Sequence, residues 1–434
     1  MASALMHPIQ QRFLEDHPSR PDHYNISMLL TVQREVPVNI IRRSLQILVE
    51  RHQVLRRRYP FDSESVVPVE PEHAFPLDLI HLSEGSETAL QAELASKCDD
   101  AQKSLSITNG PMCRAVHFEA ANGMKYLLLI VHHMAADAMA FRILLREFQI
   151  ICRTLAGGGS ATSSSLATDH GNYVDSLHEK INNSGSSDLK WWVSRPWSEV
   201  SQLSAGNPAG SLHVRHFQKF DTWLDESTSE HFSRFRSHAG WTSEETLLTA
   251  VAHALAEYSD TATVGIEVLR HGRVAVQPEQ KVLQTVGWIG SFAPYVLEIP
   301  DSGGPTDGTV TQIRDTQARE TSWGALRYLH DDPAVRARLA GFPRPEMRFN
   351  FRGNALDLSR LIAPPFAWAK NHIPVSLTPD HFQSHGLKVH ADLIGGRLRT
   401  SWLYSAKRYD PEAIERLADR TYHYVRQVLG GRYI

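Results

Sequence analysis

Residues 125–156 read KYLLLIVHHMAADAMAFRILLREFQIICRTLA, and this stretch decides the fold class. It opens with a nearly continuous apolar run, Tyr126 to Val131, preceded by Asn122-Gly123. A run of that length next to a turn signal predicts a strand buried on both faces. From Ala138 to Leu155 the apolar positions Ala138, Phe141, Leu145, Phe148, Cys152 and Leu155 recur at alternating three- and four-residue steps, the pattern of an amphipathic helix. Between strand and helix lie His132-His133-Met134-Ala135-Ala136-Asp137. Polar residues thus end a buried strand, at the carboxyl edge where open α/β sheets place their sites. Buried polar groups need partners or a task.

Chemistry defines the task each could perform. A neutral imidazole at His133 can accept a proton from an attacking amine or alcohol near neutral pH. Alternatively, it can hydrogen-bond the nucleophile and place it against a thioester carbonyl, gaining by proximity. Asp137, at or near the helix N-terminus, can cap the helix, pair with a buried Arg and hold the loop in shape. The plainer reading is a metal pair or a satisfied core histidine. Adjacent histidines point in different directions and no HExxH spacing accompanies them, so no metal site is expected.

Outward from this segment, strands and helices alternate in both halves. Asn25 to Val32 reads as a strand, and Val38 to Arg58 as a helix with Ile41, Leu45, Leu48 and Leu55 on one face. Ser243 is expected to cap a helix through Ala256. Strands are expected at Thr263 to Leu269, Tyr295 to Ile299, Met347 to Phe351 and Arg397 to Tyr404, and a last helix from Pro411 to Leu429. The alternation defines an α/β class. Gly157 to Ser165 is rich in Gly and Ser, and Asn182 to Ser187 is polar. Together they predict a hinge dividing the chain into residues 1–180 and 181–434. Asp301 to Gly308 reads as an exposed loop.

Composition narrows the function classes. The 434 residues are 42% hydrophobic, enough for two folding units or one large repeated one. A net charge of −3 with no Lys/Arg block points away from nucleic acid and from an anionic membrane surface. Cys98, Cys113 and Cys152 form no CxxC pair, so a reduced cytoplasmic protein is expected, with Cys113 and Cys152 as buried small hydrophobes. The opening MASALMHPIQQRFLEDHP lacks the pattern of a signal peptide, and no apolar run has the length of a membrane span.

With these residues in view, the chain resembles the condensation-domain superfamily of nonribosomal peptide synthetases. HHMAADA, residues 132–138, is similar to its HHxxxDG motif, with Ala138 in place of Gly. In family order, HPIQQRFLE (7–15) resembles the opening motif, RHQVLRRRY (51–59) the RHxxLR segment, and YVDSL (173–177) the YxDF region. TVGWIGSFAPYVLEI (285–299) and FNFRGN (349–354) match two later segments. The resemblance implies an α/β fold of two chloramphenicol-acetyltransferase-like lobes, a V-shaped pseudo-dimer with a central tunnel. It implies a catalytic set of His133, His132, Asp137 and Arg273, with Arg270 the alternative partner for Asp137. Trp288, Ser291 and Asn350 are the substrate-binding candidates. Their plainer readings are packing, a loop serine without contacts and a strand-satisfied amide. Trp191, Trp192 and Trp323 read as packing.

The activity implied is that of a stand-alone condensation-type acyltransferase in secondary-metabolite biosynthesis. It would join a carrier-protein-bound acyl or aminoacyl thioester to an amine or alcohol. No adenylation motif and no carrier Ser segment is recognisable, so the substrates would come from partner proteins. The phosphopantetheine arm would arrive on the carrier protein, the acceptor would be a small molecule, and no bound cofactor is expected. A monomer is expected. Several details resemble the epimerization subfamily, including HGR (271–273), GALRYL (324–329) and TVGW (285–288). Epimerization needs a second acid/base across the α-carbon. Where that subfamily has Glu, Arg and Tyr, this chain has Leu269, Gln284 and Phe351. Glu267, two residues before Leu269, would face the same side about 6–7 Å away. An epimerase with a rearranged pocket, a coenzyme A-dependent acyltransferase and a non-catalytic docking module are the alternatives. Ala138 suits the motif loop only if its backbone φ is negative.

Overall fold

In the computed structural model, Lys125–His132 is a strand and Ala138–Ala156 a helix, as the pattern predicts. The structure describes residues 5–16, 21–33, 36–60, 66–162, 164, 167–200, 203, 207, 209–234, 240–300, 304–354, 361–369 and 379–430. In chain order the strands are β1 (Asn25–Val32), β2 (Arg57–Arg58), β3 (Val67–Pro68), β4 (Leu77–Leu82), β5 (Cys113–Ala120), β6 (Lys125–His132) and β7 (Phe217–Trp223). They continue as β8 (Thr263–Arg270), β9 (Ser291–Glu298), β10 (Met347–Asn354), β11 (Phe366–Trp368), β12 (Leu387–Ile394) and β13 (Arg397–Ser405). The α/β class is established.

The chain divides into two compact units. The first holds residues 1–179, 273–289 and 357–381, and the second holds 180–272, 290–356 and 382–434. The expected division into 1–180 and 181–434 is therefore corrected: two segments of the second half belong to the first unit. Main-chain pairing explains one, because β11 adds to β1 as an edge strand, with Leu30 opposite Trp368. Side-chain anchoring explains the other. Within 273–289, Thr285 Oγ1 donates to the Thr168 carbonyl at 2.8 Å and the Tyr173 hydroxyl donates to the Val274 carbonyl at 3.1 Å. The chain first passes between the units at residues 179 and 180, beside the stretch Asn182 to Ser187 expected as a hinge, but that stretch is helical and not an irregular linker. It lies in two helices, His170–Ser184 and Ser186–Val193, which meet at Gly185. A Cβ at Gly185 would sit 2.4 Å from the Ile181 carbonyl oxygen. Of the Gly/Ser stretch, residues 163 and 165 lie outside the described residues.

The first unit is built on a five-stranded sheet of order β11-β1-β6-β5-β4. β6 is central and antiparallel to both β1 and β5, so its residues are covered on both faces. Leu128 and Ile130 join Leu94, Cys98 and Phe118 in one cluster, supplied in part by the helix Glu87–Lys103. The helix Val38–Arg51 packs on Ala138–Ala156. It stops seven residues before the expected end, at His52 in extended conformation, and a 3-10 turn follows over Gln53–Arg56. All three cysteines are buried and free. Burial pushes the Cys98 and Cys152 thiols up to about 12 and Cys113 further still, so none is primed as a nucleophile.

The second unit carries a six-stranded sheet of order β7-β13-β12-β10-β8-β9. The helices Ser243–Ser259 and Pro411–Gly430 pack against each other beside it. The first of these is capped by Thr242, not by Ser243: Thr242 Oγ1 accepts from the Glu245 N–H, and Glu245 accepts from the Thr242 N–H. Of the expected loop 301–308, residues 301–303 lie outside the described residues, and a helix starts at Asp307. Among the described residues, no helix is long and apolar enough to cross a membrane.

Candidate active site

The end of β6 is shaped by its pairing with β1. Asn25 stands opposite His132, which puts Tyr24 opposite His133. The His133 N–H donates to the Tyr24 carbonyl at 2.8 Å, so the ladder extends one pair past the strand. The chain then turns sharply, with the Ala135 N–H donating to the His132 carbonyl at 2.8 Å.

The two histidines have separate roles. His132 is fully buried, and both its ring nitrogens are used: Nε2 lies 2.7 Å from the Pro21 carbonyl, and Nδ1 accepts from the Met134 N–H at 3.1 Å. A carbonyl needs a donor and an N–H needs an acceptor, so these partners fix the neutral Nε2–H tautomer. Burial holds the His132 pKa at about 3. Its inclusion in the catalytic set is therefore corrected: this ring folds the turn and has no nitrogen left for a substrate.

His133 is half-buried, and its ring makes no hydrogen bond to any other described residue. Trp288 and Tyr24 flank it, with ring centroids at 4.3 Å and 5.0 Å. Phe13 and His381 extend this aromatic wall through Tyr24, at 5.1 and 5.8 Å. Desolvation by these rings lowers the His133 pKa to about 4, opposed by the Asp137 carboxylate, which favours the charged form. The imidazole is thus neutral at physiological pH and open on one side.

Asp137 does three jobs. Its Oδ1 caps the helix by accepting from the Ala140 N–H at 2.8 Å. Its carboxylate takes Arg273 in a bidentate pair, Nη1 to Oδ2 at 2.7 Å and Nη2 to Oδ1 at 2.8 Å. Its Oδ2 also accepts from the Ile289 N–H at 3.3 Å. Arg273, rather than Arg270, is the partner. Its side chain is completely buried, and Nη2 reaches the Thr285 and Gly287 carbonyls at 3.4 and 3.5 Å. This knot delivers Trp288 to His133. It requires Gly287, since a Cβ there would lie 2.2 Å from Cδ2 of His170. Ala138 is the first residue of the helix and is absent from the positive-φ positions, so the added methyl is tolerated.

His132, His133, Asp137, Arg273 and Trp288 thus come together in the first unit. Ser291 and Asn350 belong to the second unit. Ser291 Oγ donates to Glu320 Oε1 at 3.1 Å, so it already has a partner. Asn350 is half-buried on β10 opposite His390 of β12. Glu267 is buried and held by Arg348, whose Nε and Nη2 donate at 2.8 and 2.6 Å, with His385 Nε2 at 3.2 Å. A carboxylate so neutralised is not a free base. Gln284 is exposed.

Two residues next to the site were not singled out from sequence. Tyr24 carried no signal, because only the β1–β6 pairing brings it to His133. Gln10 lay inside the HPIQQRFLE motif and is completely buried against the Met134 carbonyl, 2.7 Å from Nε2.

The fold and the histidine junction place the molecule among condensation-type proteins. A condensation-domain family model matches residues 2–431, and the chain belongs to that family. It is 28% identical over 427 residues to a chondramide synthase of Chondromyces crocatus, covering 95% of this chain and 11% of that protein. It is 26% identical over 439 residues to a linear gramicidin synthase of Brevibacillus parabrevis, covering 97% of this chain and 6% of that one. The chain therefore spans about a tenth or less of these relatives. The epimerization domain from the third module of tyrocidine synthetase B superposes with a TM-score of 0.78 at 21% identity, covering 99% of this chain and 98% of that domain. That likeness is one of fold.

Proposed function

We propose that this condensation domain is an acyltransferase that joins a carrier-protein-bound acyl or aminoacyl thioester to an amine or alcohol, forming an amide or ester. The observation that carries this reading is the half-buried, neutral His133 ring, with Trp288 and Tyr24 beside it and no hydrogen bond to another described residue. In the proposed step the acceptor nitrogen or oxygen attacks the thioester carbon while its hydrogen is held by the free imidazole nitrogen. The carbon–sulfur bond breaks, and the pantetheine thiolate leaves and takes up the proton released by the nucleophile. The pantetheine arm belongs to the carrier protein, so the domain itself needs no resident cofactor. Asp137 and Arg273 touch neither substrate; they hold the His133 turn and Trp288 in place.

Leu269, Gln284 and Phe351 favour bond formation over epimerization, as does the neutralisation of Glu267 by Arg348. The test is incubation of the protein with an aminoacyl carrier protein and a free amine in deuterated water. Amide product without α-deuteration supports the proposal. Deuterium at the α-carbon with no amide refutes it in favour of an epimerase. Amide formed from acyl-coenzyme A at the same rate, without carrier protein, refutes the carrier requirement.

A further inference from the structure

Two of the sequence motifs, residues 7–15 and 51–59, take no part in the step above, yet both lead to one side chain. Gln10 is on the first turn of the helix Pro8–Glu15, which His7 caps. Its amide is fully satisfied inside the first unit. Oε1 accepts from the His7 N–H at 2.8 Å, and Nε2 donates to the Tyr59 hydroxyl at 2.9 Å and to the Met134 carbonyl at 2.7 Å. Tyr59 is itself buried, and its N–H donates to the Ile107 carbonyl at 2.7 Å.

The Met134 carbonyl is the next main-chain acceptor after His133. The Met134 N–H is already held by the His132 ring. The peptide groups around His133 are therefore gripped three times: by the Tyr24 carbonyl at the His133 N–H, by the His132 ring at the Met134 N–H, and by Gln10 at the Met134 carbonyl. The first two contacts come from the strand end and the turn itself. The third comes from 124 residues away. It is the hydrogen bond that ties that turn to the N-terminal helix, whose Phe13 also packs edge-on against His132, packs on Tyr24 and lies 5.7 Å from Trp288.

We infer that Gln10 is a positioning residue for His133: by holding the Met134 carbonyl it fixes the turn that presents the imidazole between Tyr24 and Trp288. A carboxamide suits the task because it offers two donors and one acceptor on a flat group. The three neighbours need two donors and one acceptor. Its glutamate isostere could still accept from His7 and from the Tyr59 hydroxyl, but its carboxylate would face the Met134 carbonyl with no proton to give.

The experiment compares Gln10→Glu with wild type by two readouts. The first is NMR titration of the His133 ring, which needs no substrate. The second is kcat for the proposed amide synthesis. Ser44→Ala is the control: it removes a buried hydroxyl in the same unit that donates to the Ile40 carbonyl and accepts from Cys152, which lies near the far end of the helix Ala138–Ala156 from the turn. Asp137, Arg273, His132, Tyr24 and Trp288 surround His133 and are unchanged in both variants. Gln10→Glu is expected to raise the His133 midpoint by one pH unit or more and to lower kcat by ~10–100-fold, the scale of a misplacement near 1 Å. Ser44→Ala should speed hydrogen exchange of the helix Val38–Arg51 and leave the titration in place. A Gln10→Glu protein that loses stability while His133 titrates as in wild type overturns the inference. Gln10→Met fills the same space without adding a charge, and it must move the His133 titration as well; a shift confined to Gln10→Glu is the field of the new carboxylate and overturns the inference. The inference rests on His133 being the reacting centre only for the kcat arm. A shifted titration in a protein that makes no amide would leave the positioning role standing and refute the proposed reaction.

Discussion

Asp137→Asn is the most direct perturbation of the knot behind His133. The substitution keeps size and shape, and Asn caps helices about as well as Asp, so the bond from the Ala140 N–H survives. What disappears is the charge opposite Arg273, whose side chain is 0% exposed against 13% for Asp137. The guanidinium would keep the amide oxygen and the Thr285 and Gly287 carbonyls at Nη2, at 3.4 and 3.5 Å for the carbonyls, while Nη1 would face an amide NH₂ that is itself a donor. Breaking a buried pair by removing one partner costs ~3–5 kcal/mol. Removing Arg273 instead, as Arg273→Met, leaves Asp137 with its cap bond, the Ile289 N–H and some solvent. Its loss should be smaller, about 1–3 kcal/mol. Asp137→Asn with Arg273→Met buries no charge at all, and should sit within ~1 kcal/mol of the Arg273→Met protein. The double variant is thus more stable than Asp137→Asn alone. Two compact units make a single melting temperature a poor measure. Hydrogen exchange of peptides covering residues 132–140 and 273–289 reports the local opening energy directly. If Asp137→Asn and the double variant open with equal ease, Arg273 is not left stranded by the loss of Asp137, and the reasoning fails.

Further expectations concern the imidazoles. His133→Ala should reduce amide synthesis by ~100-fold or more, the scale of lost placement, with unchanged circular dichroism and hydrogen exchange; full retention of turnover would move the chemistry elsewhere. Trp288→Ala should raise the His133 midpoint from about 4 towards its ordinary value, read by NMR, because the ring that excludes water is gone; an unmoved midpoint would assign the desolvation to other neighbours. His7, His132 and His253 are held at about 3, 3 and 4, below the value of ~6.5 in the unfolded chain. Each is neutral when folded and charged when unfolded in that window. The stability they contribute is present above pH ~6.5 and falls with acidification, by up to ~1.4 kcal/mol per pH unit for each ring. Urea unfolding at pH 7.5 and 5.5 should show the drop, and equal stability at the two pH values would contradict it.

What the sequence made legible was local and periodic. The β6 strand and the helix after it announced themselves because each repeats one pattern long enough to be distinguished from its rivals. The Asp137 cap followed from its place at their junction, and the family resemblance supplied Arg273. Pairing across long separations was not legible. The identity of the inert histidine depends on the Pro21 carbonyl, 111 residues away, meeting His132 and not His133. β11 has three residues and no alternation, so nothing marked it as the strand that returns residues 366–368 to the first unit. The strand expected from Tyr295 starts at Ser291 because Pro294, a reason to stop, is harmless on β9, which forms the edge of its sheet.

The depressed midpoint of His133 also separates the two roles considered for it. To take a proton from an ammonium nitrogen titrating near 8, a ring with a midpoint of about 4 would work uphill by ~5 kcal/mol. A hydrogen bond from a neutral amine N–H to the same ring separates no charge and is available at every pH where the ring is neutral. The leaving thiolate, with a conjugate acid near ~8.5, is a far better proton acceptor than this imidazole. Within the proposed reaction the imidazole therefore aims the nucleophile's lone pair at the thioester carbon, and the proton ends on sulfur. That division of labour makes placement, not basicity, the property that His132, Asp137, Arg273 and Trp288 have to protect.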